Sequence, residues 1–352
     1  MLTAFASSVP SSSVPAAPDG ASMVIMGTFL AAALLFLAFW LIRKALGLDR
    51  IAPLPQIELP PTVEAPCGSP APPPPLPLAP AAWGSESPYA PPTSPPLPLP
   101  VPEPAAPLGR FRVPVSYYRL IDLPLIGLVF LVYFALTAMP GGEEVPLEKK
   151  FGPEVLVASI FFQLLLMGMV AAFVLWRVKL TEWLGLRWKM WPLAFAIAPL
   201  TVFFMWCLMG ALHLAGWNGW LVRSLGIDSM QEAVKLLQEA KDPLVIILMA
   251  IAAVIVAPLA EEVIFRGYLY PAAKRFCGPV GAILFSSLVF AAAHGNVVAL
   301  LPLFALAVIL CLLYEFTGSI WACISVHFLF NAATVSIQLL ARSGIVDIPA
   351  PE

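Results

Sequence analysis

The sequence predicts an all-α fold, a polytopic integral membrane helix bundle of about eight transmembrane helices. Composition is the first reason. Of 352 residues, 60% are hydrophobic and 11% charged, whereas soluble domains carry about a quarter charged residues. The second reason is that apolar runs of about 20 residues, enough to cross roughly 30 Å of hydrocarbon, recur along the chain. The third is that Lys and Arg gather at alternate ends of these runs, as the positive-inside rule requires. A net charge of −2 with no basic stripe gives no basis for nucleic-acid binding. The five cysteines (Cys67, Cys207, Cys277, Cys311 and Cys323) show no CxxC or Cys/His spacing. They support neither a disulfide framework nor a structural zinc site, and read as packing residues.

Residues 1–50 read as a signal anchor. Residues 1–21 lack Lys and Arg, Ser22 to Ile42 is an apolar span, and Arg43, Lys44 and Arg50 follow it. This places the N-terminus outside and the following segment in the cytoplasm. Residues 51–115 form a Pro-rich cytoplasmic linker, with runs such as PPPPLPLAP. Proline fixes φ and removes backbone donors, so an extended polyproline II tether is expected there.

Residues 116–242 hold further spans, expected at about Ile121 to Met139, Val155 to Trp176 and Pro192 to Leu214. GGEEVPLEKK makes an external loop. Arg177, Lys179, Arg187 and Lys189, interleaved with Trp183, Trp188 and Trp191, mark a cytoplasmic interface. In Ser229 to Ala240, Met230, Val234 and Leu237 recur at helical spacing, so this segment reads as an amphipathic helix on the outer face. The last region, 243–341, carries spans at about Pro243 to Ile264, Val280 to His294, Val298 to Phe316 and Ile320 to Leu340. Lys274 and Arg275 place a joint in the cytoplasm.

Ionisable groups inside this last apolar region cost several kcal/mol each if unpaired, which makes them functional candidates. Glu262 and Arg266 are i,i+4 and share a helix face, while Glu261 points about 100° away. The expected division is an ion pair at Glu262–Arg266 and a free Glu261 facing a cavity, suited to general-base work on water. A structural Glu–Arg pair at the membrane edge is the alternative. His294 closes a helix with Phe290 one turn earlier, and Phe290 reads as packing. His327 and Asn331 again share a face. A histidine there can orient water, accept a proton or bind a metal, and an asparagine can donate to an oxyanion; interhelical hydrogen bonding is the other reading. On a 1.5 Å rise, His327 lies about 12 Å from Ser319, Glu261 about 18 Å from Lys274 and His294 about 24 Å from Gly278. Those depths are compatible with one cavity, opening to the cytoplasm. His213, near the opposite face, reads as an interface residue.

No HExxH zinc helix and no GxSxG elbow is present. The motifs that do occur are Glu261-Glu262-Val-Ile-Phe-Arg266, Phe290-Ala-Ala-Ala-His294 and His327-Phe-Leu-Phe-Asn331. Together and in this order they resemble EExxxR, FxxxH and HxxxN of the CPBP family of intramembrane proteases, also called the Abi or type II CAAX prenyl endopeptidase family. The resemblance makes 243–341 the catalytic core. It implies that Glu261 activates water beside His294, that His327 and Asn331 complete the site, and that Glu262, Arg266 and Phe290 support it. Members are labelled metalloproteases, and a metal-independent glutamate mechanism is also argued for them. Zinc is the candidate cofactor, with Glu261, His294 and His327 as its ligands; the lack of a compact ligand motif favours direct glutamate activation.

The function expected is therefore an intramembrane endopeptidase near the cytoplasmic leaflet of the plasma (inner) membrane. Its partners would be membrane lipid and a peptide or membrane-protein substrate. A non-catalytic scaffold or immunity-type protein is the alternative, and a proton-coupled transporter a further one that the missing internal repeat disfavours.

Overall fold

A computed structural model describes residues 20–48, 113–138, 151–227 and 232–346. The Pro-rich linker up to residue 112, the 139–150 loop and the Ser229 end of the amphipathic segment lie outside them. The described residues form helices joined by turns and short loops, with no strand among them.

The first helices are α1 (Gly20–Ala45), α2 (Asp122–Ala138), α3 (Pro153–Leu175), the short α4 (Leu180–Trp183) and α5 (Ala194–Leu214). They are followed by α6 (Trp217–Leu225), α7 (Glu232–Glu239) and one long apolar run, Pro243–Ala292. That run comprises α8 (Pro243–Ile251), a π-helical turn (Ala252–Val256), α9 (Ala257–Glu262), a second π-helical turn (Val263–Leu269) and α10 (Tyr270–Ala292). Two helices close the chain, α11 (Val297–Thr317) and α12 (Ile320–Arg342).

Six stretches of the described residues are long and apolar enough to cross a membrane, and Asp122–Ala138 is a shorter apolar helix. Gly278 divides the longest of the six. Its φ of +77° and ψ of 174° break the helix, and Pro279 restarts it. Glycine takes this backbone without strain because it has no Cβ. With that break the count matches the expected eight.

Burial is one-sided in the peripheral helices. In α3, Leu156, Ser159, Gln163, Leu166, Val170 and Val174 are buried, while Phe161, Leu165 and Met169 are exposed. In α5, only Ala198, Val202 and Met205 are buried. Large exposed apolar faces of this kind belong against lipid. In the last region, by contrast, the stretch from Ala260 through Ala273 is buried without interruption. It forms the centre of the bundle, and the earlier helices pack around it. α1 lies against α10, with the Phe36 and Phe285 rings 5.0 Å apart. At Gly281 a Cβ would lie 2.7 Å from the Phe39 ring.

Several expectations need correction. The span expected to end at about Ile264, with a joint at Lys274 and Arg275, lies on a helix that runs on to Gly278. Lys274 is largely buried and ion-paired with the fully buried Glu315, which also accepts from Tyr270 Oη (2.6 Å) and Val113 N (3.2 Å). A buried acid needs such partners, and they carry the helix past the expected end. Trp183 is not an interfacial belt residue: it is 3% exposed and donates from Nε1 to Gly267 O at 2.7 Å. Arg177 likewise does more than mark the interface. It forms a two-pronged pair with buried Asp122 (2.9 Å each), and these hydrogen bonds push the Arg177 pKa upward. In α7, Leu236 and Leu237, with Ala240 just after the helix, pack in one cluster with Phe151, Val245 and Val335.

Gly185, φ +58°, sits where a Cβ would fall 1.7 Å from Gly318 O. Its loop is tied to the α11–α12 turn by Ile320 N donating to Leu184 O at 3.0 Å. Gly185→Ala is expected to lower stability by about 2 kcal/mol or more, from the backbone clash and the positive φ together. Thermal unfolding in detergent checks this, and an unchanged midpoint would show that the loop moves aside freely.

Candidate active site

The site is built where the long helix departs from α geometry. A π-helical turn carries an extra residue, shifts the backbone register and disturbs the hydrogen-bond ladder; such turns concentrate at functional sites. Here two of them flank α9, which ends in Glu261 and Glu262. Carbonyls in both turns are taken up by side chains. Asn331 Nδ2 donates to Ala253 O at 2.8 Å, and Gly267 O accepts from Tyr118 Oη (2.9 Å) and Trp183 Nε1 (2.7 Å). The helix is thus clamped on both sides of its acidic pair by residues from other helices and loops.

Adjacent positions on α9 send the two carboxylates to different partners. Glu262 is fully buried, and its Oε1 accepts from Arg266 Nη1 (2.8 Å) and His327 Nδ1 (2.7 Å). Arg266 also donates to Ala307 O at 3.3 Å, and its guanidinium lies 4.6 Å from the Phe290 ring centre. A carboxylate takes a donor, so His327 carries its proton on Nδ1 and leaves Nε2 as an acceptor. His294 has the same tautomer for a similar reason: its Nδ1 donates to Phe290 O at 2.8 Å.

Glu261 faces what remains. Its Oε2 stands 3.9 Å from His294 Nε2 and 3.9 Å from His327 Nε2. These separations are too long for direct hydrogen bonds and right for groups sharing one small molecule between them. The His294 side chain is 24% exposed against 8% for Glu261 and 3% for His327, so the site opens on the His294 side. Phe290 sits inside the constellation, with ring centres 4.9 Å from His294, 5.8 Å from His327 and 5.1 Å from Phe265.

Zinc bonds to N and O ligands at about 2.0–2.1 Å and holds them near tetrahedral angles. With Glu261 Oε2 and an imidazole Nε2 at 3.9 Å, such a metal would span an angle of about 136°, far from tetrahedral. Among the described residues no group of three or more His, Cys, Asp or Glu is arranged to hold a metal ion. The residues as they stand do not fit zinc. A water hydrogen-bonded at about 2.8 Å to each group fits the same gap.

The structure brings Glu261, Glu262, Arg266, Phe290, His294 and His327 together, and ties Asn331, one turn beyond His327, to the backbone of the same long helix. Sequence reasoning missed several buried polar residues: Asp122, Gln163 and Glu315, and with them Tyr133, Tyr118 and Trp183. A signal existed for Gln163, an isolated polar residue in the middle of a spanning run. None existed for Trp183 and Tyr118, whose roles depend on a carbonyl in a distant helix.

The site is thus a buried carboxylate facing two imidazoles inside an apolar helix bundle. Residues 243–333 match the family model for type II CAAX prenyl endopeptidase Rce1-like proteins. The chain is also similar to YdiL of Bacillus subtilis (strain 168), named as a candidate membrane peptidase, at 35% identity over 92 residues. That match spans 26% of this chain and 38% of the length of YdiL. No solved structure matches.

Proposed function

We propose that this protein is an intramembrane endopeptidase that hydrolyses a peptide bond with water activated by Glu261. One observation carries this reading: a buried, otherwise unpaired Glu261 oxygen equidistant from two imidazole nitrogens, each held in its tautomer by a second bond. In the reaction, the Glu261 carboxylate takes a proton from a water held against His294. The water oxygen adds to the carbonyl carbon, and the carbonyl π electrons move onto its oxygen. Collapse of the tetrahedral intermediate breaks the C–N bond, and the proton on Glu261 passes to the leaving nitrogen. Asn331 uses only one amide hydrogen on Ala253 O; the second is available to the oxyanion. His327, oriented by Glu262, accepts at Nε2 from the hydroxyl of the same intermediate. Direct glutamate activation is preferred over zinc because a water fits the 3.9 Å gaps and a tetrahedral metal does not.

The protein acts in the plasma (inner) membrane, with its N-terminus outside and the site opening towards the cytoplasm, where the Arg43–Lys44 and Arg177–Lys179 ends are placed by the positive-inside rule. The Rce1-like match makes a prenylated C-terminal CaaX peptide the first synthetic substrate to try, with membrane-protein segments as the wider class. N-terminal profiling of cells carrying wild-type protein against His294→Ala provides the test. A set of new N-termini present only with the wild type is expected, and identical sets in both would end the proposal.

A further inference from the structure

We propose that the two spans ahead of the matched domain, α2 and α3, supply the groups that bind the substrate backbone: the Tyr133 hydroxyl and the Gln163 carboxamide. The proposal rests on the hydrolytic reading of Glu261 and extends it to residues outside 243–333.

Both side chains are anomalous. Gln163 is 1% exposed, and neither its Oε1 nor its Nε2 has a hydrogen-bond partner. Tyr133 is 2% exposed and its hydroxyl is likewise unpartnered. In a closed apolar interior such groups are unfavourable, and leucine or phenylalanine of the same shape would be better tolerated. Groups kept in that condition await a partner that enters later.

Their location identifies the partner. The Tyr133 ring lies 5.1 Å from Phe265, which stands about one turn along the helix from Glu261 and packs on Phe290, the ring that borders both histidines. Gln163 sits in the buried stripe of α3, which packs on α8, α9 and both π-helical turns. Along that stripe Leu156 belongs to the apolar cluster of Val245 and Met249. Leu166 belongs to the cluster of Val263 and Ile264. Gln163 therefore lies between Leu156 and Leu166 on the face of α3 that packs on α9 and its flanking turns.

A substrate segment unwound for cleavage inside a membrane has the same problem as Gln163, because its own N–H and C=O groups have no water to bond. A carboxamide presents one acceptor and two donors, the complement of a peptide group, and a phenol donates one hydrogen to a carbonyl. The reacting carbonyl thus meets Tyr133 beside Glu261, and a neighbouring peptide group pairs with Gln163.

The experiment uses proteoliposomes and a fluorescein-labelled peptide pool of randomised Leu, Ala and Gly order with Lys ends. Binding is read by anisotropy on the Glu261→Gln protein, so that cleavage does not interfere. Adding Gln163→Leu is expected to weaken binding about tenfold and adding Tyr133→Phe about threefold, with the melting temperature of Gln163→Leu equal to or above that of its parent. Absence of binding by Glu261→Gln, equal binding by all three proteins, or a fall in melting temperature with Gln163→Leu would each overturn the inference. Cleavage of the same pool by wild type and Glu261→Gln alike would sink the hydrolytic reading while leaving the binding result to be judged separately.

Discussion

Glu261→Gln is expected to abolish peptide cleavage and to leave the fold intact. A general base contributes about 10²–10⁴-fold, and glutamine keeps the shape of glutamate while losing its capacity to take a proton. The fall expected in kcat is therefore in that range or beyond. Stability should not follow, because the Glu261 carboxylate makes no close ion pair: its nearest charged-type partners are the two imidazoles at 3.9 Å. The melting temperature in detergent is expected within about 2 °C of wild type. Wild-type turnover by purified Glu261→Gln would remove Glu261 from the chemistry. A large loss of stability would show instead that the carboxylate holds the bundle together.

Arg266→Leu has the opposite signature, a large effect on folding. Arg266 and Glu262 are fully buried and 2.8 Å apart. Removing one partner of a buried ion pair leaves the other uncompensated and costs about 3–5 kcal/mol. The loss should spread to His327, because its Nδ1 bonds to the same Glu262 oxygen as Arg266. The double change Glu262→Gln with Arg266→Met is expected to restore much of the stability by removing both charges. Activity should stay low, since His327 then lacks the carboxylate that sets its tautomer. Thermal unfolding of the three proteins, with cleavage measured on each that folds, checks both parts. A stable Arg266→Leu protein would mean that water reaches Glu262 in the folded state.

The fold class was legible because lipid imposes a simple rule: the backbone must satisfy itself, so long apolar runs become helices. The α1, α3, α5, α11 and α12 spans could be placed to within a few residues from hydropathy and basic flanks. The extent of the Pro243–Ala292 run could not, because hydropathy treats Lys274 and Glu262 as reasons for a helix to leave the membrane. Pairing inside the bundle removes that cost, and pairing is a long-range property.

For the site, helical spacing separated Glu261 from Glu262 and coupled Glu262 to Arg266, since i and i+4 meet on any helix. Spacing also set His294 one turn from Phe290 and His327 one turn from Asn331. It could not reveal that His327 stands between two carboxylates, with Nδ1 on Glu262 and Nε2 facing Glu261. Nor could it show that π-helical turns flank the acidic pair, or that Asn331, Tyr118 and Trp183 hold the carbonyls there. Those features depend on which helices become neighbours.

What the sequence determined by itself was therefore a membrane helix bundle with three polar motifs on three apolar segments, because the period of the helix and the thickness of the bilayer are local constraints. Only the tertiary structure decided that Glu261 and two histidines converge at 3.9 Å, that Lys274 and Arg177 are paired with buried carboxylates, and that Tyr133 and Gln163 lie buried without partners. Packing brings residues as far apart as 133 and 265 into contact, and no local rule of spacing reaches across that distance.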